Sequence, residues 1–490
     1  MSLLTDTHSL TDTLNNSLNE QRSVCFVTLG CKTNLLESSA LAEQFKSHGW
    51  HIHSDTQQPA SLFVFNTCTV TEKADAEGRR LIRQTKRHHP NARIAVTGCY
   101  AQVAPEVFQS MEGVDFVIGN NYKDSLADIV LNQYQNHYAD LADGPLVLVD
   151  EFEKSRELAA PTGSYAGIER TRGSLKIQDG CDYKCTYCII WQGRGPSRSL
   201  SPQLIVQQVQ RMVDEGFKDI ALTGINIGQY RYEGGYELPE LLETIIAKVV
   251  APDDAYRLRL TSLDPLEVTP RLMDVMQASN GRIAPHVHLS TQSAHDGVLK
   301  SMARRHHVAD LYSVCQGLVE RMPSIGIGCD VIVGFPTETD EAFEDTYRVL
   351  SEIPMHFMHV FRYSPRPGTP AASMRPQVPE RIRKERAIRL IELANQKKHA
   401  FLQSLVGQTL PVLIERADTA TGVWEGTSDN YVKVRLSVPD SDTDEGLKKL
   451  ATNQLVYARI ESVSQLEASK TLGTPTQALL MAHPLITDRV

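Results

Sequence analysis

Six of the nine cysteines fall into two sets of three whose surroundings suit metal chemistry. One set is local: Cys181, Cys185 and Cys188 stand in the run Lys-Ile-Gln-Asp-Gly-Cys-Asp-Tyr-Lys-Cys-Thr-Tyr-Cys. The other is dispersed: Cys31, Cys68 and Cys99 each come just after a stretch that reads as a buried strand. A four-iron cluster ordinarily takes four thiolates. One held by three keeps an iron open to another ligand, and an open iron supports reaction rather than electron storage. For the local set, zinc would want a fourth Cys or His at ribbon or finger spacing, and none follows within the loop. A purely structural cluster is the other alternative. For the dispersed set the plain alternative is three unrelated buried cysteines. Against it, all three take the same topological position, and the words Leu-Gly-Cys, Asn-Thr-Cys and Thr-Gly-Cys supply the small residues of tight turns.

The elements that must position these thiols alternate strand and helix. From 23 to about 135, the stretches 25–29, 61–65, 93–97 and 114–118 are continuous apolar strands. Helical patterns at 35–48 and 72–88 separate them. That pattern predicts a doubly wound parallel sheet covered on both faces. Ligands of such sheets collect outside the carboxyl ends of the strands, where Cys31, Cys68 and Cys99 would lie. Residues 136–169 read as a linker rich in Asp, Glu, Gly, Ser and Pro. From 170 to about 400, strands are expected at 174–178, 219–223, 256–260, 286–290, 328–333 and 358–361, with helices between. Six parallel strands suggest a full or partial barrel with its site at the carboxyl end. Cys181, Cys185 and Cys188 follow the first of them. Residues 405–463 switch to period-two alternation at 409–414, 431–436 and 455–460, the pattern of a small antiparallel barrel. Residues 1–22 read as a disordered extension and 464–490 as a tail without an assigned element.

Composition narrows the class. A chain of 490 residues forms several domains. Hydrophobic content of 41% and charged content of 22% describe an ordinary globular protein. No apolar run is long enough for a bilayer, so no membrane partner is expected. Residues 1–22 lack the pattern of a signal peptide. Nine cysteines in such a chain suggest a reducing, cytoplasmic setting, where thiols bind metal more often than they pair. The formal net charge is −9, so contact with nucleic acid must come from local basic patches.

The Cys-x3-Cys-x2-Cys run, with Tyr187 before its last cysteine, has the spacing of the radical S-adenosylmethionine superfamily. Together with Thr-Leu-Gly-Cys-Lys-Thr-Asn at 28–34, Asn-Thr-Cys-Thr-Val-Thr-Glu-Lys-Ala-Asp at 66–75, Thr-Gly-Cys-Tyr-Ala-Gln at 97–102 and Tyr-Ser-Pro-Arg-Pro-Gly-Thr-Pro-Ala at 363–371, the chain resembles the methylthiotransferase family from Cys25 to about Val463. The resemblance implies an N-terminal cluster domain, a partial (β/α)6 radical S-adenosylmethionine barrel and a C-terminal RNA-contacting TRAM barrel. It implies two [4Fe-4S] clusters, one on each triad, with S-adenosylmethionine on the open iron of Cys181, Cys185 and Cys188. Tyr187 would stand by the cofactor, and Thr223, Gly224 and Asn226 by its methionyl amino group. Ser290 and Gln292 would line the cofactor pocket. Asp330, Gly334 and Phe335, with Glu338, would lie near the adenine and ribose.

Within the family the words fit best the branch that converts N6-threonylcarbamoyladenosine at position 37 of tRNA to its 2-methylthio form. Methylthiolation of isopentenyladenosine, or of a ribosomal-protein aspartate, are the alternatives, with a non-catalytic iron–sulfur RNA-binding protein behind them. The implied partners are tRNA, a sulfur donor and an electron donor of the flavodoxin or ferredoxin class. Trp191-Gln192 and Ala294-His295 depart from the family pattern and bear on pocket shape. For RNA contact the sequence offers Arg79, Arg80, Arg83, Lys86 and Arg87 on the helix after Cys68, and Arg194 and Arg198 beside the cluster loop. A second basic stretch runs from Arg381 to Arg389.

Overall fold

A computed structural model describes residues 22–135, 144–152, 158, 171–252, 256–418, 423–436, 450–464 and 479–485. The expected N-terminal extension and most of the expected linker lie outside the described residues.

The N-terminal domain is a six-stranded parallel sheet. Its strands are β1 (Ser23–Thr28), β2 (His51–His53), β3 (Leu62–Thr67), β4 (Arg93–Gly98), β5 (Phe116–Ile118) and β6 (Leu146–Leu148), in the order β2-β1-β3-β4-β5-β6. The central strand β3 shows why it forms. Phe63 and Phe65 join one apolar cluster and Leu62 and Val64 the other, so period-two alternation feeds both faces. Helix α1 (Lys32–Ser47) covers one face with Leu41 and Phe45. Helix α2 (Glu72–His88), capped by the Thr71 side chain, covers the other with Ile82. Two edge strands were not foreseen. β2 is polar and exposed, and β6 lies inside the stretch read as a linker.

The central domain has six parallel strands. β7 (Arg172–Lys176), β8 (Asp219–Thr223) and β9 (Arg257–Leu260) form one sheet in the order β9-β8-β7. β10 (His286–Gln292), β11 (Gly326–Val333) and β12 (Phe357–Arg362) form the next. Single bridges Leu258↔Ile283 and Leu263↔Leu289 stitch the two together. The result is a partial barrel whose free edges are β7 and β12. A single large core, including Leu175, Leu222, Leu260, Leu289 and Val331, fills the space between strands and helices.

The C-terminal barrel is closed by β13 (Thr409–Asp418), β14 (Val423–Ser428), β15 (Lys433–Leu436), β16 (Leu455–Ser464) and β17 (Leu479–Leu485), in the order β13-β14-β15-β17-β16. The strand that completes it lies beyond the expected end at 463, in the stretch read as a tail. It pairs parallel to β15 and antiparallel to β16, which leaves no open edge. This barrel is fastened to the central domain through buried charge. Asp219 accepts from Arg257 and Arg259 at 2.7 Å each, and those guanidiniums reach on to the Thr427 and Asp429 carbonyls.

Candidate active site

The dispersed triad converges as the topology requires. Cys31 caps α1 after β1, Cys68 follows β3, and Cys99 begins the short helix α3 (Cys99–Val103) after β4. These are three adjacent strands, so the thiols share one sheet end. Burial pushes the Cys68 thiol up to about 11, and the nearby Cys99 and Cys31 add to the rise. Two glycines clear the space. At Gly30 (φ +95) a Cβ would stand 2.6 Å from the Cys68 sulfur, and at Gly98 (φ +98) one would stand 2.3 Å from the Thr67 carbonyl oxygen. Asn34 ties the loops by donating to the carbonyls of Leu29 at 2.8 Å and Thr67 at 3.1 Å.

The local triad lies on one loop after β7. Burial pushes Cys181 up to about 12 and Cys188 up to about 11, with the neighbouring thiols of the triad adding to each. Donors surround the sulfurs. Gln229 approaches Cys181 at 3.7 Å, Arg304 approaches Cys185 at 3.6 Å, and the Ile190 amide approaches Cys188 at 3.4 Å. Neutral thiols with donors aimed at sulfur suit a ligand set that ionises on binding metal. Among the described residues, the one trio of His, Cys, Asp or Glu ligand atoms lying mutually within 4.8 Å is His288, Asp330 and His359. Three thiols at each strand end are the donor set that would hold a cluster with one iron left open.

The two triads meet at a buried junction. Helix α4 (Ile190–Arg194) continues the Cys188 loop and packs against α3. At its end Arg194, 1% exposed, donates from Nε to the Cys99 sulfur at 3.2 Å and from Nη2 to Asn34 at 2.5 Å. Its Nη1 pairs with Glu37 and, at 3.3 Å, with Asp179. Glu37 also takes Lys123 at 2.6 Å and Lys176 at 3.0 Å. Burial alone would raise the Glu37 carboxyl; Arg194, Lys123 and Lys176 hold it well below the usual range. Lys176 and Asp179 belong to the central domain, and Glu37, Asn34 and Lys123 to the N-terminal one. One ionic web thus fixes the cysteine-bearing ends of both sheets to each other.

The residues expected around the cofactor gather at the strand ends. Thr223 ends β8, and its carbonyl accepts from the Ile177 amide at 2.9 Å. Asn226 caps the following turn by accepting from the Gly228 amide. A Cβ at Gly224 would meet the Gln178 carbonyl oxygen at 2.7 Å. Gln292 sits at φ +67, where a bulge breaks the pairing of β10. The Ser290 carbonyl accepts from Arg304. Tyr187 meets the ring of Phe335 edge-on at 6.4 Å. Phe335 is fully buried against Tyr187 and Tyr363, so it backs the cluster loop instead of facing an open cavity. Gly334 (φ +72) makes the turn after β11, and its amide donates to Glu338 at 2.8 Å. Asp330 is taken up by His288 at 2.9 Å and His359 at 3.3 Å.

Two positions were missed. Gln178 accepts from the amides of Ile225 and Asn226, both at 3.0 Å, and donates to the Gly180 carbonyl and Ser197. It ties the ends of β7 and β8. Arg304 joins Cys185, Asp264 and the Ser290 carbonyl. Arg304-Arg305 reads in sequence as an ordinary exposed basic pair, and only its distant partners show otherwise.

The basic candidates divide. Arg194 is buried in the web, and Arg198 donates to the Arg194 carbonyl and lies over the Phe152 ring. Arg194 therefore clamps the junction, contrary to the expected contact with RNA or substrate, and Arg198 stands partly exposed beside it. On α2, Arg79 donates to the Tyr100 hydroxyl and Lys86 to the Ala92 carbonyl. Arg80 pairs with Glu77 at 2.7 Å, an acid just before the run. Arg83 and Arg87 remain exposed. In the later stretch Arg386 is buried on Glu338 and Asp340, and Arg389 pairs with Glu344.

The comparisons agree with this geometry. Residues 23–119 match the uncharacterized protein family UPF0004 and residues 175–350 the radical SAM superfamily. The latter implies a [4Fe-4S] cluster and S-adenosylmethionine. The chain is 37% identical over 84% of its length, and 90% of the other, to the threonylcarbamoyladenosine tRNA methylthiotransferase MtaB of Bacillus subtilis. It is 34% identical to the same-named protein of Rickettsia prowazekii, over 90% and 95% of the two chains. It is 32% identical to the tRNA-2-methylthio-N(6)-dimethylallyladenosine synthase of a Wolbachia strain, over 79% and 86%. The solved radical S-adenosylmethionine methyltransferase TsrM of Kitasatospora setae shares the fold at 15% identity, with a TM-score of 0.53 over 72% of this chain and 75% of that one. With two cysteine triads at one domain junction and such relatives along nearly its whole length, the chain belongs to the radical S-adenosylmethionine methylthiotransferases, in their MtaB-type branch.

Proposed function

We propose that the protein carries out C2 methylthiolation of N6-threonylcarbamoyladenosine at position 37 of tRNA, using one [4Fe-4S] cluster on Cys31, Cys68 and Cys99 and another on Cys181, Cys185 and Cys188. The observation that carries this reading is the junction: Arg194, on the helix that continues one triad's loop, donates to Cys99 of the other. Two reactive centres held that rigidly suit a reaction in which one activates the substrate carbon and the other delivers to it. When bound, the clusters and S-adenosylmethionine supply the carbon-centred radical and the methylated sulfur.

The chain's own residues bind, orient and exclude water. The three thiols at each site would give up their protons on binding metal, against the burial that keeps Cys68, Cys181 and Cys188 neutral otherwise. Arg304 and Gln229 steady the radical-generating loop through Cys185 and Cys181. Thr223, Gly224, Asn226, Ser290 and Gln292 shape the cofactor pocket, with Gln178 bracing two of its loops. The glutamate–lysine–arginine web fixes the separation of the two centres. The C-terminal barrel is read as a TRAM-type RNA-binding module, and exposed Arg83 and Arg87 as contacts to phosphate. A sulfur donor and a low-potential electron donor complete the partners.

The test is nucleoside mass spectrometry of tRNA from a strain lacking the gene. The expected result is loss of 2-methylthio-N6-threonylcarbamoyladenosine with accumulation of its precursor, and restoration by the wild-type gene. Unchanged levels of the methylthio nucleoside would contradict the reading.

A further inference from the structure

A cavity of about 800 Å³ lies between the central strands and the C-terminal barrel, and none of the six cluster cysteines lines it. Its wall is rich in cations. Among the described lining residues, Arg172, Lys398, Arg416, Lys433 and Arg435 stand against two acids, Glu415 and Glu425. Each acid is shared between two cations. Glu415 serves Arg172 at 2.9 Å and also Lys433, and Glu425 serves Arg435 at 3.0 Å and also Arg416. With their carboxylates divided, Lys433 and Arg435 keep donor hydrogens that can turn to an anionic ligand.

Three imidazoles, His286, His288 and His359, line the cavity from the central strands. His288 on β10 and His359 on β12 lie with rings 5.0 Å apart, both bonded to the same oxygen of Asp330. Asp330 is not among the lining residues, so each ring has one nitrogen engaged on the acid and a second left for a ligand. The trio has the composition of a divalent-metal site. A cavity with five cations in its wall repels such an ion and attracts an anion instead.

Position links the cavity to the reaction. His288 precedes Ser290 by two residues on one strand, so the two share a face about 7 Å apart. In the substrate, C2 and C6 belong to the same six-membered ring, and the exocyclic N6 on C6 carries the distinguishing arm. The relatives named above differ in that arm: a threonylcarbamoyl group bears a carboxylate, a hydroxyl and a urea, and a dimethylallyl group is wholly apolar. We propose that this cavity receives the N6 arm of the substrate nucleoside, with the threonyl carboxylate held by Lys433 and Arg435 and the hydroxyl by His288 and His359. The inference rests on the substrate assigned under the proposed function and adds how it is told apart from the apolar one.

The test uses anaerobically reconstituted, full-length protein and three anticodon stem-loop RNAs. They differ only in carrying threonylcarbamoyladenosine, dimethylallyladenosine or plain adenosine at the reacting position. Wild type should bind the first about tenfold more tightly than the others, the worth of one charge-assisted contact. His359→Gln, His359→Leu and Lys433→Met should erase most of that preference and leave plain-adenosine RNA within about twofold. His359 and Lys433 are exposed side chains, and unchanged circular dichroism would confirm folding. Equal weakening of all three RNAs would make the cavity a seat for the phosphate backbone and overturn the inference. So would stoichiometric zinc uptake that is lost in His288→Leu, which would make the trio a cation site. A wild type that shows no preference for the threonylcarbamoyl RNA would contradict the assigned substrate itself, a separate failure.

Discussion

The two cysteine triads solve one problem in opposite ways. Cys181, Cys185 and Cys188 sit within a single loop, so local chain geometry holds them together. Cys31, Cys68 and Cys99 come from the ends of three neighbouring strands and meet only when the sheet is formed. The local triad needs one loop to be right. The dispersed one needs the register of β1, β3 and β4, two positive-φ glycines and the Asn34 ties. The dispersed site should therefore be the more fragile, and the two should be separable by mutation.

The largest effects come from the ligands. Cys181→Ala should abolish 5′-deoxyadenosine formation from S-adenosylmethionine under reduction, and Cys68→Ala should leave that formation in place. Iron analysis should fall from about eight to about four atoms per chain in either variant. A variant of the dispersed triad that lost all iron would show that the sites do not load independently.

The next effect targets the seam. Glu37→Leu removes an acid that Lys123, Lys176 and Arg194 share. Leaving buried cations uncompensated should cost about 3–5 kcal/mol, measured by denaturant unfolding under anaerobic conditions. A loss under about 1 kcal/mol would mean that the web contributes little to holding the domains together.

A subtler change is Gly98→Ala. Its Cβ would meet the Thr67 carbonyl oxygen at 2.3 Å in a backbone with φ +98. Cys99 should be displaced and the N-terminal iron lost, with 5′-deoxyadenosine formation kept.

Acid sensitivity follows from the same buried charges. Burial opposes ionisation of Glu37, Asp179 and Asp219, yet their cations hold all three carboxyls below the usual range. Groups with depressed values stabilise the fold above the unfolded value near pH 4 and lose that contribution as pH falls toward the folded one. The buried His286, His306 and His356, held below the ordinary histidine value by burial, add a loss that begins as pH falls through about 6.5, so stability should decline from about pH 6.5 and drop steeply below about 4. A maximum near pH 4 would contradict the assignment.

The smallest effect belongs to the surface. Arg83→Glu with Arg87→Glu should weaken RNA binding less than about tenfold and reduce its salt dependence by about one phosphate contact per side chain.

This contrast also explains what could be read from the chain itself. The local triad announces its chemistry by spacing. The dispersed one is legible because apolar strands alternate with helices and put each cysteine at the same edge. The central strands, the cluster loops and the start of the C-terminal barrel follow from the same periodicities. Strand β6 was hidden because its three residues pair only at the sheet edge, among polar and Pro-containing neighbours. Strand β17 was hidden because its parallel partner β15 is distant from it in the chain and Pro484 interrupts its pattern. In sequence Arg194 reads as a contact residue and Arg304 is not singled out, since a guanidinium's partners more than a hundred residues away leave no local trace. The distinction between a cation that meets RNA and one that clamps two domains is made by tertiary burial.

The most direct test of the two-centre account is a single-turnover assay with reconstituted protein, S-adenosylmethionine, reductant and threonylcarbamoyladenosine stem-loop RNA. Wild type should yield both 5′-deoxyadenosine and the 2-methylthio nucleoside, and Cys68→Ala should yield the first without the second. Formation of the methylthio nucleoside at wild-type level by Cys68→Ala would contradict the account.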